Sequence, residues 1–581
     1  MKTIQWILIL ACDLTLTSDV RAQAMRDLYS DTWVATDGLG RKLVTAAECG
    51  PPRSDRTVGI FYFLWLGQHG QAGPFDVTQL LAADPENPKW GPQGVFHHWG
   101  EPELGYYVSD SEFVIRRHCF MLNDAGIDTL IFDATNAVTY SKVYLTLCRV
   151  YAELRSQGHR TPQFCFVTHS SARQTIETLY RELYSKDLFP ELWFRWKGKP
   201  LILGDDWEGL APEIRDFFTI RKCWAWTHGK DTWQWLDHSE NRYGWHESAE
   251  RPEELAVCVA EHPTTNIGRS FQAGRQPAID RYGLTGSEGQ GRFFAEQISR
   301  ALRIGPEFAF VTGWNEWVAQ RFIQKEGEPA GSLLGHKISA GQSFFVDTYN
   351  QEYSRDIEPM RGGHTDNYYY QLVDFIRRYK GARPIPTVTK DVPITIDGKF
   401  EEWTNVEPEY RDTIGDTEHR NEKGWGEKLT YIDNSGRNDF MTLKAATDAS
   451  RLYFYVRTRE TISPRTDPQW MLLFIDADSN PATGWGGYDY LVNREVTGPQ
   501  QTTLCRYQRG KWNPVGAIGF ALEGMQLELS IPKADLGIVT DGYQIDFHWV
   551  DNPQKLDDPI DLALSGDSAP NRRFNYRLIR E

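Results

Sequence analysis

The stretch FAFVTGWNEWVAQ, residues 308–320, begins as an apolar run and ends in polar and aromatic residues. Continuous rather than alternating apolar residues are typical of a strand buried on both faces of a parallel sheet. At the end of this run Glu316 stands between two tryptophans, where burial would raise a carboxyl pKa and aromatic faces could hold a ring-shaped ligand. The alternative is a structural Glu that caps a helix or pairs with a core Arg.

Similar apolar runs recur before residue 308, and helical patterns lie between them. The segment 141–158, for example, places Val143, Leu147, Val150 and Leu154 on one stripe, as expected for a helix that covers a sheet. This alternation predicts an α/β fold, a (β/α)8 TIM barrel with one strand unrecognised, and a doubly wound parallel sheet is the alternative. The remaining runs span 58–65, 127–136, 163–169, 200–206, 222–228 and 254–262.

Polar or aromatic residues follow almost every run at its C-terminal end. In a barrel these ends meet at one mouth, whereas an open sheet collects ligands only at a switch point. Asp133 follows the run IDTLIF and is our first candidate for a second carboxyl group, although an Asp that caps the next turn fits equally well. The other strand-end candidates for ligand contact are Trp65, His169, Asp205, Trp226 and His262.

The segment VFHHWGEPELGYYVSD, residues 95–110, concentrates acidic, imidazole and aromatic groups in one predicted loop. Loops at a barrel mouth commonly carry binding and catalytic residues. Glu101 and Glu103 are reserve candidates for an acid, and His98 and Tyr106 are candidates for substrate contact. Each of these residues could equally be structural.

The sequence GWNEW at 313–317, at the end of a predicted barrel, resembles glycoside hydrolase families 71 and 99. The resemblance covers about residues 55–380 and is strongest at 312–317. It implies hydrolysis of an α-linked glycan, with Glu316 as base or nucleophile. In these families a second carboxylate follows three residues later as the general acid, but Ala319 occupies that position here. Further residues expected to contact sugar are Arg269, Trp314, Asn315 and Trp317.

A second domain is predicted after a Pro-containing linker at 381–392. Short alternating strands over 393–581, separated by turn residues, are typical of a β-sandwich. The segments 394–403 and 472–494 resemble a family 9 carbohydrate-binding module. Asp476, Asp478 and Asn480 have the alternate-residue oxygen spacing of calcium loops, so a structural calcium ion is one expectation and an Asx-rich turn the other.

The net charge of −16 and the absence of a long basic run argue against nucleic acid as a partner. Residues 1–24 resemble a secretory signal sequence with cleavage after Ala24, and lipid attachment at Cys12 is the alternative. No later stretch reaches the ~18 apolar residues of a membrane helix. These features predict a protein that is exported to the periplasm, the cell surface or the medium.

The combined prediction is a two-domain glycoside hydrolase acting on a polysaccharide or oligosaccharide. Its barrel spans 25–380, and no cofactor is required for catalysis. Glycoside hydrolysis ordinarily needs two carboxyl groups, so the missing family acid must come from another strand or loop. The main alternative is a glycan-binding protein that has lost its acid. A glycosyltransferase-related barrel is a third hypothesis, against which the export signal argues.

Overall fold

A computed structural model describes residues 25–70, 72–237, 242–426 and 428–581. The predicted signal sequence, including Cys12, lies outside the described residues. Two large sheets organise the chain: a nearly closed, barrel-like sheet before residue 313 and a curled sheet after residue 386. This arrangement agrees in general form with a barrel followed by a β-rich domain.

The barrel-like sheet contains a run of eight parallel strands. Apart from the sixth and seventh strands, each pairs with the next along the chain, and the eighth pairs with both the seventh and the first. The sixth and seventh strands share no ladder, although the backbone N–H of Gln234 donates to the Glu254 carboxylate at 2.7 Å across the gap. The strands are β1 Thr57–Tyr62, β2 Thr129–Ala134, β3 Gln163–Thr168, β4 Lys199–Gly204, β5 Thr219–Trp224, β6 Thr232–Gln234, β7 Arg251–Cys258 and β8 Phe308–Thr312.

Helices connect most of these strands, but the β/α alternation is incomplete. In the described residues, no helix lies between β5 and β6 or between β6 and β7, and the short strands Gly229–Lys230 and Gly244–Ser248 extend the sheet there. The longer helices are α1 Glu112–Ala125, α2 Ser141–Ser156, α3 Ala172–Glu182, α5 Arg292–Ile304 and α6 Asn367–Lys380, and the shorter ones are Ala46–Cys49, Val77–Ala83 and α4 Pro212–Phe217.

Apolar side chains fill the centre of the barrel. All residues of β2 and β8 are buried, which is why their sequences are continuously apolar rather than alternating. A Cβ at Gly59 would lie 2.5 Å from the Phe308 ring, so this position needs glycine for the ring to fit. The packed interior leaves the C-terminal strand ends as the place for polar groups.

The second sheet contains twelve strands, mostly antiparallel, and curls so that Lys511–Glu523 is shared by its two halves. Its strands are β9 Thr387–Val388, β10 Glu409–Arg411, β11 Phe440–Thr447, β12 Arg451–Thr458, β13 Leu472–Asp476, β14 Tyr490–Gly498, β15 Gln501–Gln508, β16 Lys511–Glu523, β17 Gln526–Pro532, β18 Tyr543–Asp551, β19 Asp567–Ala569 and β20 Tyr576–Arg580. They lie in the order β9-β20-β18-β13-β14-β15-β16-β17-β12-β11-β10, and β19 pairs with β18.

The two parts of the chain share a polar and aromatic interface. Arg572, beyond β19, donates to both carboxylate oxygens of Glu103 at 2.7 and 2.8 Å, and both side chains are buried. Trp425 donates its backbone N–H to the carbonyl oxygen of Tyr106 at 2.5 Å and packs edge-on against His98. The loop at 95–110 is therefore largely an inter-domain element.

Among the described residues, no helix has the length and apolarity that a membrane span requires.

Candidate active site

Glu316 lies beyond the end of β8, where the chain leaves the regular strand. The preceding residue, Asn315, fixes this segment by pairing with the backbone of Phe63, accepting at 2.8 Å and donating at 3.2 Å. Only 2% of Glu316 is exposed. Its carboxylate forms an ion pair with Arg355, and its backbone N–H donates to the Asp356 carboxylate. The segment at 354–356 therefore positions Glu316.

Several carboxyl groups surround Glu316. Burial raises the pKa of Glu316 well above its ordinary value. The Arg355 guanidinium opposes this shift, whereas the nearby charges of Asp347, Asp356 and Asp133 add to it. Burial likewise raises the pKa values of Asp133 and Asp347. The structure thus brings the two predicted carboxyls together and adds Asp347, which the sequence analysis did not select.

Arg355 is the cation of this carboxyl cluster. Besides Glu316, its guanidinium donates to the backbone carbonyl of Asp347 at 2.7 Å and lies 3.2 Å from Nδ1 of His262. It also stands over the Trp235 ring at 5.3 Å from the ring centroid. Burial, with the Arg355 charge as a second cause, lowers the pKa of His262 to about 3, so this imidazole is neutral.

Aromatic side chains extend from this cluster towards the solvent. Trp224 stacks on His169 with ring centroids 3.6 Å apart and planes at 6°, and His169 Nδ1 lies 2.5 Å from Asp205. Trp226 is 39% exposed and lies 6.0 Å from the His262 ring. Flat, partly exposed rings beside hydrogen-bonding groups suit a ligand with both apolar ring faces and hydroxyl groups.

Asp133 occupies another side of the mouth. Its Oδ1 accepts hydrogen bonds from the backbone N–H and the hydroxyl of Thr135, at 2.9 and 2.7 Å. The Asp133 charge contributes to the raised pKa of Tyr140, whose hydroxyl pairs with His69 at 2.8 Å. The Trp65 ring packs edge-on against His69. Trp65 and Asp133 therefore belong to one group of side chains.

The two tryptophans beside Glu316 are core residues, which corrects the expectation that they hold a sugar. Trp314 is fully buried and packs edge-on against His118 at 5.5 Å. Trp317 is also fully buried, stacks on Trp99 at 4.4 Å, and donates its indole N–H to Glu358 at 2.6 Å. The chain after β8 turns these indoles into the protein while Glu316 faces Arg355.

Two further residues expected to contact sugar have structural roles. Asn315 is fully buried, and its side-chain amide accepts a hydrogen bond from the Phe63 backbone N–H and donates one to the Phe63 carbonyl. Arg269 is fully buried and donates to the backbone carbonyls of Ser354 and Asp356, at 2.9 and 2.6 Å. Both residues position the Glu316 region instead of facing a ligand.

The loop at 95–110 supplies no carboxyl to the cluster. Glu103 spends both oxygens on Arg572, and Glu101 lies 3.6 Å from Arg361 in a more exposed position. His98 and Tyr106 are buried against the second domain rather than open to a ligand. The polar residues of this loop therefore contact the second domain. This corrects the expectation that the loop lines the barrel mouth.

His98 provides a pH-dependence test of this interface. Burial, with the charge of His97 as a second cause, lowers the pKa of His98 to about 3. An unfolded His has a pKa near 6.5, so below that pH the unfolded chain binds a proton that the folded chain does not, and stability falls as pH falls. Relative to His98→Phe, the wild type should lose about 2 kcal/mol of unfolding free energy between pH 6.5 and 5. Denaturant titrations at both pH values measure this, and parallel pH profiles would contradict it.

Four residues of this site were not predicted from the sequence: Asp347, Arg355, Trp224 and Trp235. Asp347 follows the apolar run SFFV, which is the same signal that selected Asp133, but the run lies outside the predicted strand set. Trp224 lies in the same predicted strand region as Trp226. Arg355 carries no local signal, because its role depends on a contact with a residue 39 positions away.

The predicted calcium loop of the second domain has a different third donor. Carboxylate oxygens of Asp476, Asp478 and Asp489 lie within 4.8 Å of one another. The Asn480 side chain instead accepts from the backbone N–H of Ala482 at 3.1 Å, as in an Asx turn. Asp489 replaces Asn480 in the group of residues that could hold a cation.

No protein-family profile matches the chain, and no curated protein sequence does. Solved structures give weak matches. The family 99 endo-α-mannosidase of Bacteroides thetaiotaomicron is 15% identical with a TM-score of 0.32, and the match covers 56% of this chain and 97% of that one. A protein described as glycoside hydrolase-like is 11% identical with a TM-score of 0.30, covering 57% and 95%.

A third similar structure is an α-L-fucosynthase of Thermotoga maritima, 8% identical with a TM-score of 0.23, where the match covers 85% of this chain and 96% of that one. These scores are low.

Proposed function

We propose that the barrel mouth binds a glycan and hydrolyses one of its glycosidic bonds. The observation that carries this proposal is the convergence of Glu316, Asp133 and Asp347, with the Arg355 guanidinium beside Glu316 and Asp347. Hydrolysis needs one carboxyl group that donates a proton and a second that acts as base or nucleophile. A cluster with several carboxyls of raised pKa can hold a proton at neutral pH and keep another group ionised.

The three carboxyl groups have different surroundings, and these differences support different catalytic roles. Burial raises the pKa of Glu316 as well as that of Asp347, but the ion pair with Arg355 favours the charged form of Glu316, which suits the role of base or nucleophile. Asp347 is partly exposed, and burial of its carboxyl raises its pKa, so it suits proton donation to the leaving oxygen. Asp133 is the alternative donor, although Thr135 already occupies one of its oxygens.

Substrates with different leaving groups distinguish the general acid from the base or nucleophile. Loss of a general acid slows substrates with poor leaving groups and leaves activated aryl glycosides nearly unaffected, because their departure needs no proton. Asp347→Asn should lower turnover of a natural oligosaccharide about a hundredfold or more and spare the aryl glycoside. Asp133→Asn is the matched comparison, and an equal loss on both substrates would argue against Asp347 as the acid.

The aromatic platform of Trp224 and Trp226 should contribute to binding rather than to chemistry. Replacing the exposed ring in Trp226→Ala should weaken glycan affinity about three- to tenfold, the scale of one stacking interaction, with little change in kcat. Calorimetric titration with oligosaccharide measures the affinity. A change confined to kcat would place Trp226 outside the binding surface.

A non-catalytic glycan-binding protein is the second candidate, and one observation favours it. Glu316 is 2% exposed, and its carboxylate and backbone N–H are engaged by Arg355 and Asp356, as in a structural ion pair. Oligosaccharide binding by the wild type without any turnover would select this candidate.

Finer features of the proposal come from the sequence, by family resemblance or by residue pattern. They are an α-linked mannan or glucan as substrate, a sugar-binding-like second domain, export with or without a lipid anchor, and calcium at Asp476 and Asp478. Assays on α-mannan and α-glucan fragments test the substrate class. The glycosyltransferase-related alternative predicts activity that depends on a sugar nucleotide.

A further inference from the structure

Three buried carboxylates meet where the second domain faces helix α1. Asp412 follows β10, Asp416 lies four residues later, and Asp567 begins β19. One oxygen of each lies within 4.8 Å of the others, and none of the three residues is more than 5% exposed. They are distant in sequence from Asp476 and Asp478, which belong to the loop after β13.

The carboxylate of Asp412 is left without partners. The residue is fully buried, and neither of its carboxylate oxygens has a hydrogen-bond partner among the described residues. Oδ1 of Asp416 is likewise unpartnered there. Leaving a buried acceptor unsatisfied costs about 1–3 kcal/mol, and more when the group is charged. The cluster therefore lacks a charged or donating group at its centre.

The neighbouring protein groups do not fill this role. Backbone N–H groups of Phe440 and Ser568 each donate to Asp567 at 2.7 Å and fix its orientation. Arg26 donates to the backbone carbonyl of Asp412 rather than to its carboxylate. Burial raises the pKa of the Asp416 carboxyl to about 7, and the charge of Arg117 opposes this shift only in part.

A small cavity adjoins the carboxylates. Its volume is about 30 Å³, and Asp416 and Asp567 line it together with Asp124 of helix α1. This is room for about one water molecule, which needs polar partners of the kind found there. Oδ1 of Asp124 is a further buried oxygen without a partner among the described residues.

We propose that Asp412, Asp416 and Asp567 bind one calcium ion at the junction of the barrel and the second domain. An oxygen-only set of carboxylates is the donor type that calcium prefers. Ligands on opposite sides of a calcium ion stand up to about 5 Å apart, which agrees with the observed spread. The cavity supplies space for a water ligand, and the ion offsets the repulsion among the carboxylates.

The test uses the full chain, stripped with a chelator and dialysed into calcium. Elemental analysis should find one calcium fewer per chain in Asp412→Asn and in Asp567→Asn than in the wild type. Added calcium should raise the melting temperature of the wild type by several degrees, and Asp412→Asn should remove this site's part of the rise. Asp478→Ala is the control, because it removes a carboxylate from the loop after β13 and leaves Asp412, Asp416 and Asp567 intact.

Two results would overturn the proposal. The first is an unchanged calcium content in Asp412→Asn, with circular dichroism showing that the variant is folded. The second is an Asp412→Asn variant that is more stable than the wild type in calcium as well as in chelator, which would mean that protonation, and not a metal, relieves the buried charge. Parallel dialyses against Mg²⁺ and against Ca²⁺ in which only Mg²⁺ is retained would overturn the assignment of the ion.

Discussion

Replacing Glu316 by Gln is expected to lower glycan turnover at least about a hundredfold while oligosaccharide binding persists. The substitution keeps the volume of the side chain and removes only the charge that faces Arg355. A neutral amide can act neither as base nor as nucleophile, so the loss should appear in kcat. Steady-state kinetics on the cleaved oligosaccharide, together with calorimetric binding, measure the two effects separately.

Glu101→Gln is the matched control for this experiment. Glu101 comes from a loop with similar sequence signals, but its carboxylate lies by Arg361 and outside the cluster. Its replacement should leave turnover close to that of the wild type. Undiminished activity in Glu316→Gln would remove this residue from the mechanism, whereas loss of both activity and binding would point to a disturbed mouth.

The sequence predicted the parts of the barrel that depend on local patterns. The continuous apolar runs of β2 and β8 correspond to strands buried on both faces, and the carboxyls that follow them, Asp133 and Glu316, lie in one cluster. This works because parallel strands align their C-terminal ends, so a residue just past a strand has a predictable location. Asp347 follows a similar apolar run, but the strand there, Ser343–Phe344, pairs antiparallel outside the barrel sheet, so this rule does not locate it.

Side-chain direction could not be predicted once the chain left the strand. The alternation of faces applies only within β8, which ends at Thr312, so nothing local shows that Trp314 and Trp317 turn inward. Contacts between distant segments were equally hidden. Arg355 reaches Glu316 across 39 positions, and Arg572 reaches Glu103 across 469. The acidic, imidazole and aromatic residues of the loop at 95–110 were therefore predicted to line the barrel mouth, whereas in the structure they form part of the interface between the two domains.

Replacing Arg572 by Met is expected to destabilise the protein by about 3–5 kcal/mol, the cost of leaving a buried charge without its partner. The side chains of Arg572 and Glu103 are only 7% and 3% exposed, and the guanidinium spends two donors on the carboxylate. Removing the guanidinium leaves the Glu103 carboxylate desolvated at the interface. Denaturant unfolding followed by tryptophan fluorescence and by circular dichroism measures the change.

The double variant Glu103→Gln, Arg572→Met distinguishes the buried charge from lost packing. The double variant removes both charges and leaves no unpaired ion at the interface. Its free energy of unfolding should therefore be higher than that of Arg572→Met and close to that of the wild type. Arg361→Met is the matched control: its pair with Glu101 is more exposed, and its loss should cost less than about 1 kcal/mol. If Arg572→Met proves as mild as Arg361→Met, the Glu103 pair contributes little, and other contacts across the interface, such as Arg573 with Asp366, account for its stability.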